Sequence, residues 1–343
     1  MTNSRDAADE PSGAGRGAVT ITDVANAAGV SASTVSYVIT GKRTISAATR
    51  RRVEETIRTL GYRRRSGSPT TRAGVLAVAV PLHGDRHPGV EMEFFAAAAG
   101  AARELGFDLL LVTDDEGTSG LHRVTSAALA DAVIVLDAGD DDPRVPVLLA
   151  SGRPAVLVGA PGRHHGLASV TLDCTPAGQA CAGHLADLGH RSIAHLEPPG
   201  RRPGYLADFA EGFRITAARH GVRTVSRPCA PTAEDVAGCL DDVLTDGGAT
   251  GLVVHDEAVL PLVLAALEDR GRRVPADVSV VAVCSETVAR NQRIRPAAVV
   301  IPARELGALA VELAVRRLDG SAAGPESVTP SFVPGESTAA AVH

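Results

Sequence analysis

The chain has 343 residues, 45% of them hydrophobic and 3% aromatic, with a formal net charge of −6. That is enough chain for a small unit plus a core of one or two larger domains, and the balance of residues is that of a soluble globular protein with no need of a membrane partner. Five cysteines, Cys174, Cys181, Cys229, Cys239 and Cys284, are odd in number and form no CxxC pair, which argues against a disulfide framework or a zinc ribbon and for reduced core thiols.

Residues 1–17, MTNSRDAADEPSGAGRG, are rich in Gly, Ser, Asp and Ala and lack the apolar run of a signal peptide. A disordered tail and a cytoplasmic protein are expected. Residues 18–62 read as a compact three-helix head. The first helix starts near Thr22 and puts Val24, Ala25 and Ala28 on one face; Gly29 ends it, and Ser31 is placed to cap the next helix. That second helix, about Ala32 to Thr40, turns Val35 and Val38 inward and leaves Ala32, Ser33, Ser36 and Tyr37 outward. Ser46 caps a third, with Val53, Ile57 and Leu60 at helical spacing before Gly61. Two short helices about a glycine turn make a helix-turn-helix, whose outer face fits a major groove.

Charge gives an independent pointer. Residues 18–73 carry ten Lys and Arg against three acids, a net +7, so the acidic surplus lies in the rest of the chain. A cationic head finds phosphate and an acidic body is kept off it. Residues 63–73, RRRSGSPTTRA, have no apolar periodicity and read as a linker.

From Gly74 onward apolar runs alternate with helical patterns. Strands are expected at 75–80, 109–112, 132–136 and 155–158, then at 169–172, 192–196, 251–254 and 278–283. Near-continuous apolar strands separated by helices imply parallel sheets covered on both faces. The fold class is therefore α/β: a three-helix head followed by two doubly wound parallel-sheet subdomains over 74–334. The first subdomain takes about 74–168 plus 298–320, and the second about 169–297 plus 321–334. Crossings are expected near Asp173 and at Ala298 to Ile301, and 335–343 is left as a tail.

Enzyme signatures are missing: there is no GxSxG elbow, no GxxxxGK[ST] loop and no GxGxxG after a strand. His164-His165 and Asp140-Asp141-Asp142 are read as solvated loops, since adjacent side chains seldom converge on one ion. No catalytic residue, cofactor or metal is expected. Asp114 heads an acidic run at a strand's carboxyl end, where open α/β sheets take ligands.

Ile21-Thr22-Asp23-Val24-Ala25, Ala28-Gly29-Val30-Ser31, Ser33-Thr34-Val35-Ser36, Gly41-Lys42, Ser46, Thr49-Arg50 and Leu60-Gly61-Tyr62 resemble the head of LacI (lactose repressor) family regulators. His184-Leu185, Leu188 to Ala194, Val274 to Val281 and Pro302 with Glu305-Leu306-Gly307 resemble that family's periplasmic-binding-protein-like core. The resemblance implies a sequence-specific transcription regulator, a repressor, that binds double-stranded operator DNA as a homodimer and answers to a small-molecule effector in the core cleft. A solute-binding protein or a cleft enzyme on the same core fold is the alternative reading, opposed by the basic head and the missing signal peptide.

By the same resemblance Ala32, Ser33 and Tyr37 face base edges, with Thr22, Ser31, Thr34, Ser36, Lys42 and Arg43 completing the DNA-binding set. The linker departs from the family: Arg64-Arg65 stand where Pro-Asn is expected and Pro69 falls inside the would-be hinge helix. Arg63, Arg64 and Arg65 are then expected to make phosphate contacts instead. The effector site departs as well. Phe209 and Cys284 occupy places where sugar-binding members carry arginine and aspartate, which predicts an effector less polar than common sugars. His255-Asp256 match cleft-facing residues of relatives, and His87 and Phe94 are placed to close the other wall.

Overall fold

The computed structural model describes residues 21–40, 45–60, 73–80, 88–113, 118–139, 141–159, 166–200 and 204–341. It divides into two compact units, residues 1–67 and 68–343. None of the described helices is long and apolar enough to cross a membrane.

In the first unit α1 (Ile21–Ala28), α2 (Ala32–Thr40) and α3 (Ala47–Leu60) share a core of Val24, Ala25, Ala28, Val35, Val38 and Val53. The expected stops and caps are where the sequence puts them. Gly29 takes φ +63°, the left-handed conformation that costs a glycine little. The Thr34 N–H donates to Ser31 Oγ at 3.2 Å and the Thr49 N–H to Ser46 Oγ at 3.2 Å.

The second unit holds two sheets. One is built from β1 (Val75–Val80), β2 (Asp108–Thr113), β3 (Ala132–Ala138), β4 (Ala155–Gly159), β5 (Ala168–Leu172) and a late strand, β11 (Pro325–Val328). Their order across the sheet is β11-β5-β4-β3-β1-β2, all pairs parallel. Helices α4 (Pro88–Glu104), α5 (Ser119–Ser126) and α6 (Arg144–Ser151) connect these strands. The other sheet runs β12-β10-β9-β8-β6-β7, with β6 (Ser192–Glu197), β7 (Arg223–Pro228), β8 (Gly251–Val254), β9 (Ser279–Cys284) and β10 (Ala297–Val300) parallel and β12 (Ser331–Val333) antiparallel at the edge. Its helices are α7 (Thr175–Asp187), α8 (Gly204–Arg219), α9 (Ala233–Leu240), α10 (Leu260–Asp269) and α11 (Glu286–Asn291). Leaving out the late edge strands, both sheets have the 2-1-3-4-5 doubly wound order, whose ligand crevice lies at the strand carboxyl ends where the winding reverses.

Three boundaries move relative to the sequence reading. β5 pairs with β4 and β11, so 169–172 belong to the first subdomain and the chain crosses only after Asp173. β10 lies in the second sheet, and the return passes through Ile301 to α12 (Ala303–Leu318), which packs on α4. A third crossing joins β11 to β12, so 325–328 belong to the first subdomain. The expected bounds put it at 320/321 instead, because these short, half-exposed edge strands carry little apolar pattern.

Residues 335–341, expected as tail, are a strap on the second subdomain. The Val280 N–H donates to Ser337 O and the Ala341 N–H to Leu188 O. Ser337 Oγ accepts the Ala297 N–H at 2.9 Å and donates to Val280 O at 2.5 Å. Asp142, expected in a solvated loop, is buried and paired with Arg144 at 2.6 Å, because a buried carboxylate needs a counter-charge.

Candidate functional site

The head presents one outward face. Thr22, Ser31, Ala32 and Ser33 are exposed, and Thr34, Ser36 and Tyr37 are half-buried. Ser31 Oγ lies 2.8 Å from both Ser33 Oγ and Thr34 Oγ1, so the start of α2 is a fixed cluster of hydroxyls that can rotate to donate or accept. Lys42, Arg43, Arg63, Arg64 and Arg65 lie outside the described residues.

In the core the winding reverses between β1 and β3 and between β6 and β8, so the two crevices are bordered by α4, α8 and the residues after β8. His255 and Asp256, directly after β8, are buried. The His255 ring sits edge-on to Phe209 with centroids 4.4 Å apart, and its Nδ1 is 3.2 Å from His195 Nε2. His195 Nδ1 faces Glu197 Oε1 at 3.3 Å. Phe209 stacks on Phe213 at 6.4 Å. The structure thus brings Phe209 and His255 together, with His195 beside them. Phe94 instead belongs to the core beside α12, with its ring edge-on to Phe95 at 5.8 Å. Cys284 is fully buried, and burial, with Glu257 and Glu93 nearby, pushes its thiol up to about 12. His87 and Asp114 lie outside the described residues.

Two carboxylates bridge the subdomains, and the sequence reading singled out neither. Glu257, in the second subdomain, accepts the Gly89 and Val90 N–H groups at 2.5 and 3.1 Å at the start of α4; its other oxygen accepts the Ser285 N–H at 2.9 Å. Glu93, on α4, accepts the N–H and hydroxyl of Thr287 at 2.9 and 2.5 Å at the start of α11. Each subdomain therefore sets an acid at a helix N-terminus of the other, where unpaired N–H groups and the helix dipole favour negative charge. A Cβ at position 89 would lie 2.6 Å from Ser285 Oγ and 2.8 Å from Glu257 Oε1, so a larger residue there would push the bridging carboxylate aside. Beside them Glu91 is half-buried, its carboxyl raised to about 7 by burial, then by Asp137 and Glu257.

A helix-turn-helix unit followed by two such subdomains matches known proteins on both counts. Residues 20–65 match the family described as bacterial regulatory proteins, lacI family, and 182–338 the periplasmic binding protein-like domain. The HTH-type transcriptional regulator CelR of Thermobifida fusca is 30% identical over 331 residues, covering 89% of this chain and 94% of that protein. The chain belongs to the LacI family of transcriptional regulators.

As a LacI-family member it is a DNA-binding transcription regulator built on an effector-binding core. A solved CelR–cellobiose complex superposes with a TM-score of 0.68 at 25% identity, covering 93% of this chain and 99% of that one. The lac repressor dimer bound to operator and the anti-inducer ONPF gives 0.69 at 23% identity, over 94% and 100% of the two chains, a likeness of fold. Sequence did hold a partial signal for the bridges, since Glu257 directly follows His255-Asp256 and Glu93 lies in the first turns of α4.

Proposed function

We propose that this LacI-family regulator is a repressor that binds operator DNA as a homodimer and changes its affinity when a small molecule enters the core cleft. The observation that carries the reading is the pair of carboxylate bridges. They link the subdomains at the crevice the doubly wound order assigns to ligands, so an entering molecule must compete with or rearrange them. Support for the effector comes from the CelR relative solved with cellobiose, and for the dimer from the lac repressor dimer. Leu111, Leu129 and Leu149, each about half exposed on the first subdomain, offer apolar surface to a second copy. We assign base reading to Ala32, Ser33 and Tyr37, positioning to Thr22, Ser31, Thr34 and Ser36, and phosphate contacts to Lys42, Arg43 and Arg63 to Arg65. The head is taken as 18–62 and the linker as 63–73. The protein acts in the cytoplasm and catalyses nothing.

For the effector we assign Phe209, His255, Asp256 and Cys284 to one wall, and His87 and Asp114 to the other; Phe94 is withdrawn to the core. Glu93, Glu257 and Asp256 line the cleft with carboxyl groups, which disfavours anions. The class that fits is a molecule less polar than a free sugar, neutral or with an amine on an apolar body. Calorimetric titration with a panel of mono- and disaccharides and of small amines tests this: micromolar binding of a simple sugar, lost on mutating His255, would refute the class while keeping the site. Gel shifts test the head. Deleting residues 1–73 should abolish binding to DNA at low salt, and Tyr37→Ala should relax preference at one base position, whereas uniform weakening would remove its base-reading role.

A further inference from the structure

Cys229 and Cys239 meet on the second subdomain with an acid between them in sequence. Cys229 follows the end of β7 and is 1% exposed; Cys239 is 8% exposed. Asp235 and Cys239 lie four residues apart on α9, so their side chains share one face. Both sulfurs and a carboxylate oxygen of Asp235 lie within 4.8 Å of one another. Cysteine spacing passed over the cluster because C-x5-D-x3-C contains no CxxC, and the turn into α9 brings the donors together.

We propose that Cys229, Cys239 and Asp235 bind a zinc-class divalent cation, with the fourth coordination position open to solvent beside the exposed Asp235. Two thiolates and a carboxylate suit a borderline-soft ion, and tetrahedral bonds of about 2.0–2.3 Å require donors roughly 3.3–3.8 Å apart, within a short side-chain rotation of those observed. The backbone holding them is already tied down. The Cys229 N–H donates to Glu197 O at 2.8 Å, and the Asp235 N–H is capped by Thr232 Oγ1 at 3.2 Å. Asp235 Oδ2 accepts the Ala230 N–H at 2.6 Å, a support that orients a carboxylate whose second oxygen can take the ion. A cation binds the two sulfurs as thiolates and so displaces their two protons.

Titration of the reduced full chain with Co2+ tests the site. The expected result is one ion per chain with thiolate-to-cobalt absorption, displaced by Zn2+, and release of two protons per ion in calorimetry at neutral pH. Cys229→Ser and Cys239→Ser should abolish the absorption, and Asp235→Ala should weaken binding by at least about tenfold, the lower bound for losing even an outer-shell support. Alkylation followed by mass mapping needs no variant: Zn2+ should protect Cys229 and Cys239 and leave the reactivity of Cys174, Cys181 and Cys284 unchanged. Absorption that survives in both serine variants, lack of protection, or a reduced chain that takes no metal would overturn the proposal.

Discussion

Glu257 satisfies three backbone N–H groups with two oxygens, those of Gly89 and Val90 on the first subdomain and that of Ser285 on its own. Glu257→Gln would set an amide N–H2 against one of these donors, and a buried group left unmatched costs about 1–3 kcal/mol. Urea unfolding should show a loss of that size; an unchanged midpoint would mean that the bridge contributes nothing. Glu91 carries the pH dependence. Its carboxyl stands at about 7 against 4.5 when free, so between those values the unfolded chain has released a proton that the folded one keeps. Its contribution to stability is therefore full below about pH 4.5, declines as the pH rises, and is gone above about pH 7. Glu91→Gln should gain in melting temperature over the parent across that window, and a constant difference would refute the assignment. The sequence pointed to the neighbourhood of the bridges but not to their partners. Glu257 lies 168 residues from Gly89 and Glu93 lies 194 from Thr287, and side-chain spacing speaks only for neighbours in the chain.

Among the elements, the head was legible nearly to the residue, and α2 has the limits expected for it. Its signals are local: a glycine stop, serine caps and apolar residues three or four apart. Ser31→Ala should cost the head about 1 kcal/mol, the usual value of an N-cap, while Ser31→Asp should keep most of it. Circular-dichroism melting of the two variants reads the difference, and equal melting would show that the bond to the Thr34 N–H is idle. The strands of the core were legible because strands buried on both faces are apolar throughout, and β1 and β8 have the expected limits. β7 escaped: RTVSRP is an edge strand that is mostly exposed, so it keeps polar residues. Helix packing supplies a sharper test. A Cβ on Gly307 would collide with the Phe94 carbonyl where α12 crosses α4. Gly307→Ala should therefore destabilise the core by about 1–3 kcal/mol in denaturant titration, as overpacking does, despite alanine's better helix propensity. A gain in stability would show that the two helices can slide apart.

At the scale of the whole molecule, the late chain returns to both subdomains, β11 to one sheet, β12 and the strap at 335–341 to the other. Residues 335–343 look like a tail in sequence because a strap held by single backbone bonds needs no apolar period. Removing residues 335–343 should lower the melting temperature of the core and leave the head's own transition in place, since the two are separate units; an unchanged core transition would make the strap ornamental. Ser337→Ala alone should reproduce part of the loss by stranding the Ala297 N–H. The same feature sets an order of events during synthesis. Residues 325–341 leave the ribosome after every strand they complete, about 15–60 s behind the head at roughly 5–20 residues per second. Each newly made molecule therefore owns a finished DNA reader before it owns a finished sensor, and a nascent chain stalled short of residue 325 would already recognise DNA while deaf to any signal.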